Sequence, residues 1–473
     1  MSRSNTASRE GMLMSISRKK TIGLLSAAVT LFSCIMLGIV FHAEKQIIMG
    51  MGILVSSLIL WSTEALPMAI TTMLMICILE FTNIMTFTES VENIGVNTSL
   101  FIMASSGITI AVGSSVIPQS LTKYIITSSS GNPRRFVLYI GFIISICSAF
   151  MSSLATCALF NSILLPMLKN KYKPGNSNLG RCLMIAIPAC AGIGGFMSPA
   201  GTPANILLLD LLAHYNVNLS FIQWCFVGFP IGLIAVGIFL LSLVTMFPPE
   251  PFVSFDSNNS DISPELNVND KKTIIIVGCI IILWFASGWV SSLNTTLIAV
   301  IGLAVMFMPG INLLDWKKFS NGVNWDLVIT MGTVSVLMTG IAKTGLMKIV
   351  STAVINQISQ LPMLLSIVAL SLMICIVRSF IPTTTAVVAL LAPMLIEASY
   401  GLNTNSLALL LILAFWTASA LLIVYTEPIF LITYGNHYYK GKDLVKAGFI
   451  PCIVLSFVTA FAIPAIVSFL QLG

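Results

Sequence analysis

The chain has 473 residues, of which 57% are hydrophobic and only 8% are charged, and its formal net charge is +6. Soluble domains carry about a quarter charged residues, so this chain cannot cover a globule with a solvated surface. A soluble enzyme, a nucleic-acid-binding protein and a disordered protein are excluded, and the composition predicts an all-α membrane protein that crosses the bilayer many times.

The first 20 residues form a basic arm ahead of the first apolar segment. The arm contains a single acidic residue, Glu10, against a group of cationic residues: Arg3, Arg9, Arg18, Lys19 and Lys20. The positive-inside rule therefore places the N-terminus in the cytoplasm of a cell whose plasma or inner membrane holds the protein. The apolar segment 21–41 is long enough to span, and no small-residue cleavage site follows it. We interpret it as a retained first helix rather than a signal peptide.

Charged residues are confined to short stretches along the rest of the chain. Segments without Asp, Glu, Lys or Arg cover 93–122, 136–168, 182–209, 211–249, 273–314, 349–377, 398–426 and 447–473. A membrane helix needs about 20 such residues, and the pattern predicts about 11 transmembrane helices. One of the predicted spans is 406–424. A polar linker, 248–272, divides a first half, 21–247, from a second half, 273–473.

The two halves contain an internal repeat. Three pairs of identical residues occur in the same order at nearly constant separation: Pro166 and Pro393, Thr202 and Thr426, and Gly228 and Gly448. The first pair also places Thr156 opposite Thr383. One such coincidence is common in Leu-rich sequences, but three in register are not, so the repeat predicts a duplicated membrane fold.

Short or interrupted apolar segments occur at corresponding places in both halves. The runs 159–168 and 386–396 are too short to cross a bilayer alone, which is typical of re-entrant or buried segments. They predict hairpins near 136–168 and 362–397, and the Pro-containing stretches predict unwound loops near 198–206 and 424–430. Irregular backbone survives in a membrane only where it is buried or lines a cavity. Broken helices of duplicated halves form the substrate site of many secondary transporters, near the bilayer midplane.

Three segments carry a resemblance to a known family. WSTEALPMAITTML at 61–74, GTPANI at 201–206 and WKKFSNGVNWDLVITMGTVSVLMTGIAKTGL at 316–346 resemble the divalent anion:sodium symporter family, whose members carry di- and tricarboxylates and sulfate. The resemblance extends from about residue 61 to the end. It implies an inverted-repeat elevator transporter, in which a scaffold domain forms a homodimer and a transport domain slides against it. It also implies two re-entrant hairpins with Ser-Asn-Thr tips and two Thr-Pro-Pro loops.

By position, the resemblance implies a set of site residues. The tips fall on Thr156-Cys157-Ala158 and Thr383-Thr384-Thr385, and the loops on 201–205 and 426–428. The predicted substrate-binding residues are Thr156, Asn161, Thr202, Arg378, Thr383, Thr384, Thr385 and Thr426. The candidate sodium ligands are Thr156, Gly201 and Thr384, and no other cofactor is expected.

Both tip asparagines of the family are replaced here. Cys157 and Thr384 stand in their places. Hard cations prefer oxygen ligands, so Cys157 is a poor sodium ligand. Asn161, one turn further along, is a candidate to substitute for the lost amide. The three threonines at 383–385 either donate hydroxyl groups to an anion or cap the helix that begins there.

Two charged residues lie in the apolar surroundings of the second repeat. Arg378 in such a place costs about 2.5–3.5 kcal/mol on insertion scales. It either binds a carboxylate or sulfate in place of sodium ions, or it forms an ion pair with Glu397 or Glu427, or it reaches an interface. Glu427, where the family has Pro, is a candidate proton-coupling group, a counter-ion for Arg378 in the empty carrier, or a loop residue in contact with solvent.

The sequence therefore predicts a secondary carrier of small divalent anions, with dicarboxylate ahead of sulfate. The sequence leaves three alternatives for the driving force: sodium symport, proton coupling through Glu427, and sodium-independent exchange. The alternatives are another carrier of the wider ion-transporter superfamily, of the sulfate, arsenite or Na⁺/H⁺ type, and a transport-inactive sensor. An intramembrane enzyme is not favoured, because the three histidines lie at segment edges.

Overall fold

The computed structural model describes residues 2–41, 44–63, 65–116, 132–169, 172–214, 217, 219–251, 266–287, 290, 294–358, 360–381 and 384–472. Within these ranges the regular structure is entirely helical. Ten of the described helices are long and apolar enough to cross a membrane, and six shorter apolar helices accompany them. The predicted all-α membrane fold is thus confirmed. Thr383 and most of the polar linker lie outside the described residues.

The described helices follow one another through the chain. They are α1 (Ser2–Val40), α2 (Lys45–Thr63), α3 (Met68–Phe81), α4 (Phe87–Glu92), α5 (Val96–Gly113), α6 (Pro133–Phe150), α7 (Ser153–Lys169), α8 (Asn178–Phe196), α9 (Pro203–His214), α10 (Phe221–Met246), α11 (Val268–Ala286), α12 (Thr295–Phe307), α13 (Trp316–Gly322), α14 (Trp325–Lys343), α15 (Leu346–Ile358), α16 (Met363–Phe380), α17 (Thr384–Gly401), α18 (Ser406–Ala418), α19 (Pro428–Tyr434) and α20 (Gly441–Phe469). A 3₁₀ turn, Val424–Thr426, precedes α19. The predicted basic arm is helical and continuous with the first apolar segment in α1.

The chain divides into two compact units. The first comprises Met1–Val96, Trp325–Gln360 and Ile381–Asn403. In it α1 packs along α2, α3 along α14, and α15 along α17. Polar contacts join α3 to α14, because the Asp326 carboxylate accepts a hydrogen bond from the Ala69 backbone N–H at 3.0 Å and the Thr72 and Thr333 hydroxyls are bonded to each other.

The second unit comprises Asn97–Asn324, Leu361–Phe380 and Thr404–Gly473. Its centre consists of α8 and α18, which are buried along almost their whole length because they are apolar on every side. In the first repeat α8 packs against α6 and α10; in the second, α18 packs against α16 and α20. At about 1.5 Å per residue, the 13-residue α18 is too short to cross the hydrocarbon core. It is an internal half-helix.

Two predicted boundaries differ from the structure. The predicted span 406–424 ends early, because α18 stops at Ala418 and irregular backbone follows. The run 386–396 is part of the 18-residue α17, which is long and apolar enough to span. Pro393 lies inside this helix without ending it. Hydropathy alone locates neither boundary, because apolar residues resume at Ala420 after α18 has ended, and α17 includes the polar residues Thr385 and Glu397 that flank the apolar run.

The start of α8 is held by Glu250, which follows α10. The Glu250 carboxylate accepts hydrogen bonds from the backbone N–H groups of Asn178 and Leu179, at 2.9 and 3.0 Å, and from the Ser177 hydroxyl. Partial burial raises the pKa of Glu250, but these hydrogen bonds to the charged form outweigh it and leave the pKa below its ordinary value. An anion at a helix N-terminus also interacts favourably with the helix dipole.

Candidate functional site at two helix breaks

The first break lies between α8 and α9. The helix ends at Phe196 and resumes at Pro203. Pro is favoured at the first position of a helix, because a backbone N–H there would have no intrahelical partner and Pro lacks this group. The backbone folds back closely on itself, since a Cβ added to Gly201 would lie 2.4 Å from the Gly195 carbonyl oxygen. Only glycine allows that approach. The predicted loop near 198–206 corresponds to this break.

Asn205 bonds the exposed carbonyl groups of the first break. Its Nδ2 donates to the carbonyl oxygens of Gly195 and Ser198, both at 2.8 Å. The Ser198 hydroxyl in turn donates to the Ala149 carbonyl at the end of α6. Helix ends leave backbone groups without intrahelical partners, and a neutral side-chain amide supplies the donors here.

The second break lies between α18 and α19. The helix ends at Ala418, passes through the 3₁₀ turn and resumes at Pro428. Arg378, on the last turn of α16, bonds the backbone of this break. Its Nε donates to the Thr417 carbonyl oxygen at 3.2 Å and its Nη1 to the Thr426 carbonyl oxygen at 3.1 Å.

Arg378 also forms an ion pair with Glu427. Nη2 of the guanidinium contacts the Glu427 carboxylate. The Arg378 side chain is 1% exposed, whereas that of Glu427 is 15% exposed. The guanidinium is therefore fully buried, whereas the Glu427 side chain is partly exposed. Of the two ion-pair partners predicted for Arg378, Glu397 and Glu427, the structure pairs it with Glu427.

The two breaks have corresponding backbone geometry. A Cβ on Gly228 of α10 would lie 2.4 Å from the Met197 carbonyl oxygen, and a Cβ on Gly448 of α20 would lie 2.0 Å from the Leu421 carbonyl oxygen. Met197 and Leu421 each stand five residues before the threonine that the repeat pairs. The second helix after each break, α10 or α20, thus packs its glycine on the same backbone position of that break, as a duplicated unit requires.

The α6–α7 hairpin lies beside the first break. The Ser148 hydroxyl donates to the Ala191 carbonyl at 2.6 Å, and the Ser153 hydroxyl to the Gly201 carbonyl at 3.3 Å. Thr156 follows one turn later on α7 and is buried. The predicted tip and the predicted loop are therefore neighbours in the second unit.

Several buried side-chain oxygens near the breaks have no hydrogen-bond partner among the described residues. Beside the first break they are Oγ1 of Thr156, Oγ1 of Thr202 and Oδ1 of Asn205; in the second break there is Oγ of Ser419. Leaving a buried polar group unsatisfied costs about 1–3 kcal/mol. Such oxygens could coordinate a cation, and the hydroxyl groups could also donate to an anion.

Cys157 and Asn161 connect the hairpin to the short helix of the other repeat. The Cys157 thiol donates to the Ile429 carbonyl at 3.2 Å, and Asn436 Nδ2 donates to Asn161 Oδ1 at 2.8 Å. Both residues thus lie along α7 where it packs on α19. Asn161 is fixed by Asn436, and its predicted binding role stays a prediction.

The remaining predicted residues lie elsewhere. Thr384 and Thr385 begin α17 in the first unit, and Thr385 is buried. Thr383 lies outside the described residues. The second unit brings together Thr156, Gly201 and Thr202 at one break and Thr426, Glu427 and Arg378 at the other. Asn205 was not among the predicted site residues, although it stands in the GTPAN motif that predicted the loop.

Comparison with known proteins gives a consistent assignment. A family model described as citrate transporter matches residues 58–421. An uncharacterized transporter of Haemophilus influenzae is 23% identical over 420 residues, covering 86% of this chain and 89% of the relative. The sodium-dependent dicarboxylate transporter SdcS of Staphylococcus aureus is 22% identical over 443 residues, covering 86% and 84%.

Among solved structures, the fold is similar to that of the YdaH transporter of Alcanivorax borkumensis. The TM-score is 0.57 at 13% sequence identity, and the similarity covers 81% of this chain and 88% of that one. At this identity the similarity concerns the fold alone.

Proposed function

The chain belongs to the citrate transporter family, and on that premise we propose that it is a secondary carrier of small di- and tricarboxylate anions. It is a multi-pass integral membrane protein. Dicarboxylates are the preferred substrate class, because a relative similar over most of both chains is named as a dicarboxylate transporter. Sulfate is the second candidate.

The observation that carries the proposal is the buried guanidinium in the second break. A cation in a membrane interior is costly, so it is retained where it has a partner or a function. The planar fork of Arg378 suits a carboxylate, and its backbone contacts with Thr417 and Thr426 fix its orientation. A substrate carboxylate would bind the guanidinium edge that now contacts Glu427.

In this mechanism Glu427 acts as an internal counter-ion. It neutralises Arg378 in the anion-free carrier and gives way when a substrate carboxylate arrives. The exchange keeps the buried guanidinium paired throughout, which avoids the cost of an uncompensated buried charge. Thr426, next to Glu427, lines the same break. Alternating access then carries the bound anion across the membrane.

Sodium is the proposed coupling ion. The support is the sodium-dependent relative, together with the oxygen atoms of Thr156, Thr202 and Asn205 beside the first break. These are the ligand types that a hard cation prefers. The Gly201 carbonyl and the Thr384 hydroxyl, which the resemblance also implies, remain candidates.

The test is uptake into proteoliposomes that contain the purified chain. Radiolabelled succinate, citrate and sulfate are offered with an inward sodium gradient and with the gradient collapsed. We expect saturable uptake of one of the carboxylates, inhibited by the other and accelerated by the gradient. Binding of carboxylates without transport would favour the sensor alternative. Uptake that does not depend on the sodium gradient would contradict sodium coupling and favour proton coupling or exchange.

A further inference from the structure

The two helix breaks satisfy their carbonyl groups with groups of different charge. In the first break the donor is the neutral amide of Asn205, which bonds Gly195 and Ser198. In the second it is the guanidinium of Arg378, which bonds Thr417 and Thr426. The repeats therefore share their backbone geometry, but where the first break has a neutral amide the second has a fixed positive charge, paired with Glu427.

The groups around Arg378 are those that would hold a small cation. Unwound carbonyl groups and the C-terminal ends of half-helices coordinate Na⁺ in carriers with broken helices. Arg378 contacts one carbonyl from the last turn of α18, one from the 3₁₀ turn, and the Glu427 carboxylate. Its guanidinium thus occupies the place of an ion, so the second break does not suit a mobile cation.

The first break is different, because three buried neutral side-chain oxygens there have no partner among the described residues, whereas the second break has one, Ser419 Oγ. Thr156 Oγ1, Thr202 Oγ1 and Asn205 Oδ1 are buried there without a partner among the described residues. The Ser153–Gly201 hydrogen bond holds the hairpin that carries Thr156 against the loop that carries Thr202. A set of neutral oxygen atoms of this kind suits a mobile cation.

We propose that Arg378 is a resident cation that takes the place of one mobile coupling ion, so that only the first break binds Na⁺. The inference rests on the proposed function, since a coupling ion needs a carrier. Two equivalent sodium sites would give a sigmoidal activation of uptake with a Hill coefficient approaching about 2, whereas a single site gives a hyperbola with a coefficient of about 1. We expect the hyperbola.

The first experiment replaces the side chain by free guanidinium, added as its chloride salt, without any carboxylate or sulfate present. The thermal stability of purified full-length Arg378→Ala is measured with and without millimolar guanidinium. We expect guanidinium to raise the melting temperature of this variant by about 2–4 °C, because it binds where the Arg378 side chain was removed. The melting temperature of the wild type should not change. Arg181→Ala is the matched control: Arg181 also pairs with a carboxylate, Asp443, at 3.4 Å, but it is partly exposed. Guanidinium should not raise the melting temperature of Arg181→Ala.

The second experiment measures the sodium dependence of anion uptake. We expect a hyperbolic curve for the wild type and for Arg378→Lys, which keeps the charge. Because Arg378→Ala should transport too little anion for such a curve, its response to sodium is measured as thermal stability without substrate. Na⁺ should stabilise this variant more than it stabilises the wild type, because Na⁺ can now fill both breaks. If Arg378→Ala cannot be purified, the test rests on the sodium dependence of uptake by Arg378→Lys. A hyperbolic curve supports the inference, and a sigmoidal curve contradicts it.

Two results would overturn the inference. One is a sigmoidal sodium curve for the wild type; the other is an equal response of Arg378→Ala and wild type to guanidinium. Absence of anion uptake by the wild type would instead overturn the proposed function, because the guanidinium measurement is made without carboxylate or sulfate. The two failures are therefore distinguishable.

Discussion

At the residue scale, the feature that needs explaining is a fully buried arginine. Removing one partner of a buried ion pair costs about 3–5 kcal/mol, because the remaining charge is left without compensation. In the second break the loss of Arg378 would leave the Glu427 carboxylate without its counter-ion and two backbone carbonyl groups without their hydrogen-bond donor. We therefore treat Arg378 as the residue on which the anion site depends.

Arg378→Ala is expected to reduce carboxylate uptake at least about 100-fold, as the loss of a buried charge–carboxylate contact would predict. The measurement is initial uptake in proteoliposomes at equal amounts of inserted protein. Arg181→Ala, in the same unit, should retain uptake near the wild-type rate. Unchanged uptake by Arg378→Ala would remove this residue from the site.

Glu427→Gln tests the internal counter-ion. The amide cannot neutralise Arg378, so a substrate carboxylate no longer competes with a carboxylate of the protein, and we expect a lower KM. If Glu427 also carries the proton-coupling role, the pH dependence of uptake should flatten. A KM at or above the wild-type value would argue against displacement, and an unaltered pH profile would exclude proton coupling at this position.

At the element scale, two close backbone contacts define the breaks. A methyl group on Gly448 or Gly228 would meet a backbone carbonyl, which cannot move aside as a flexible side chain can. Gly448→Ala and Gly228→Ala should therefore lower stability by at least about 2 kcal/mol, at the upper end of overpacking costs.

Thermal unfolding in detergent measures this effect. The matched control is Gly278→Ala in α11, because a Cβ at Gly278 would meet nothing within 4 Å. That variant should be as stable as the wild type or slightly more stable, since alanine is the better helix former. Equal melting temperatures for all three variants would show that α10 and α20 do not pack on the breaks as described.

The anchor at the start of α8 makes stability depend on pH. Because the folded-state pKa of Glu250 lies below its ordinary value, its contribution is complete above the unfolded-state pKa and is lost as the pH falls through the folded-state pKa. Glu250→Gln should therefore melt below the wild type at neutral pH, and the difference should shrink as the medium becomes acidic. A difference that stays constant down to low pH would contradict this account.

Local chemistry explains which elements the sequence could predict. Pro203 and the neighbouring glycines mark the first break, because both residue types restrict backbone conformation locally. The end of α18 has no such marker: Ala418 is followed by the apolar residues Ala420 to Ile423, so the predicted span ran past it. The apolar run 386–396 is bounded by Thr385 and Glu397, but α17 continues past both of them, because a helix tolerates polar residues that end a hydropathy run.

At the scale of the whole molecule, duplication is the organising feature. The repeated landmarks in the sequence predicted corresponding backbone positions, and Gly228 and Gly448 occupy them. The partners of Arg378 could not be predicted in full, because two of them are backbone carbonyl groups 39 and 48 residues away that any sequence would provide. The homodimer and the elevator motion implied by the family resemblance stay predictions.

The central claim is that a substrate carboxylate binds Arg378 in place of Glu427. A cryo-EM structure of the full chain in nanodiscs with saturating succinate or citrate tests it most directly. The account predicts anion density within hydrogen-bonding distance of the Arg378 guanidinium and a Glu427 carboxylate turned away from it. Anion density elsewhere, with the Arg378–Glu427 pair intact, would contradict it.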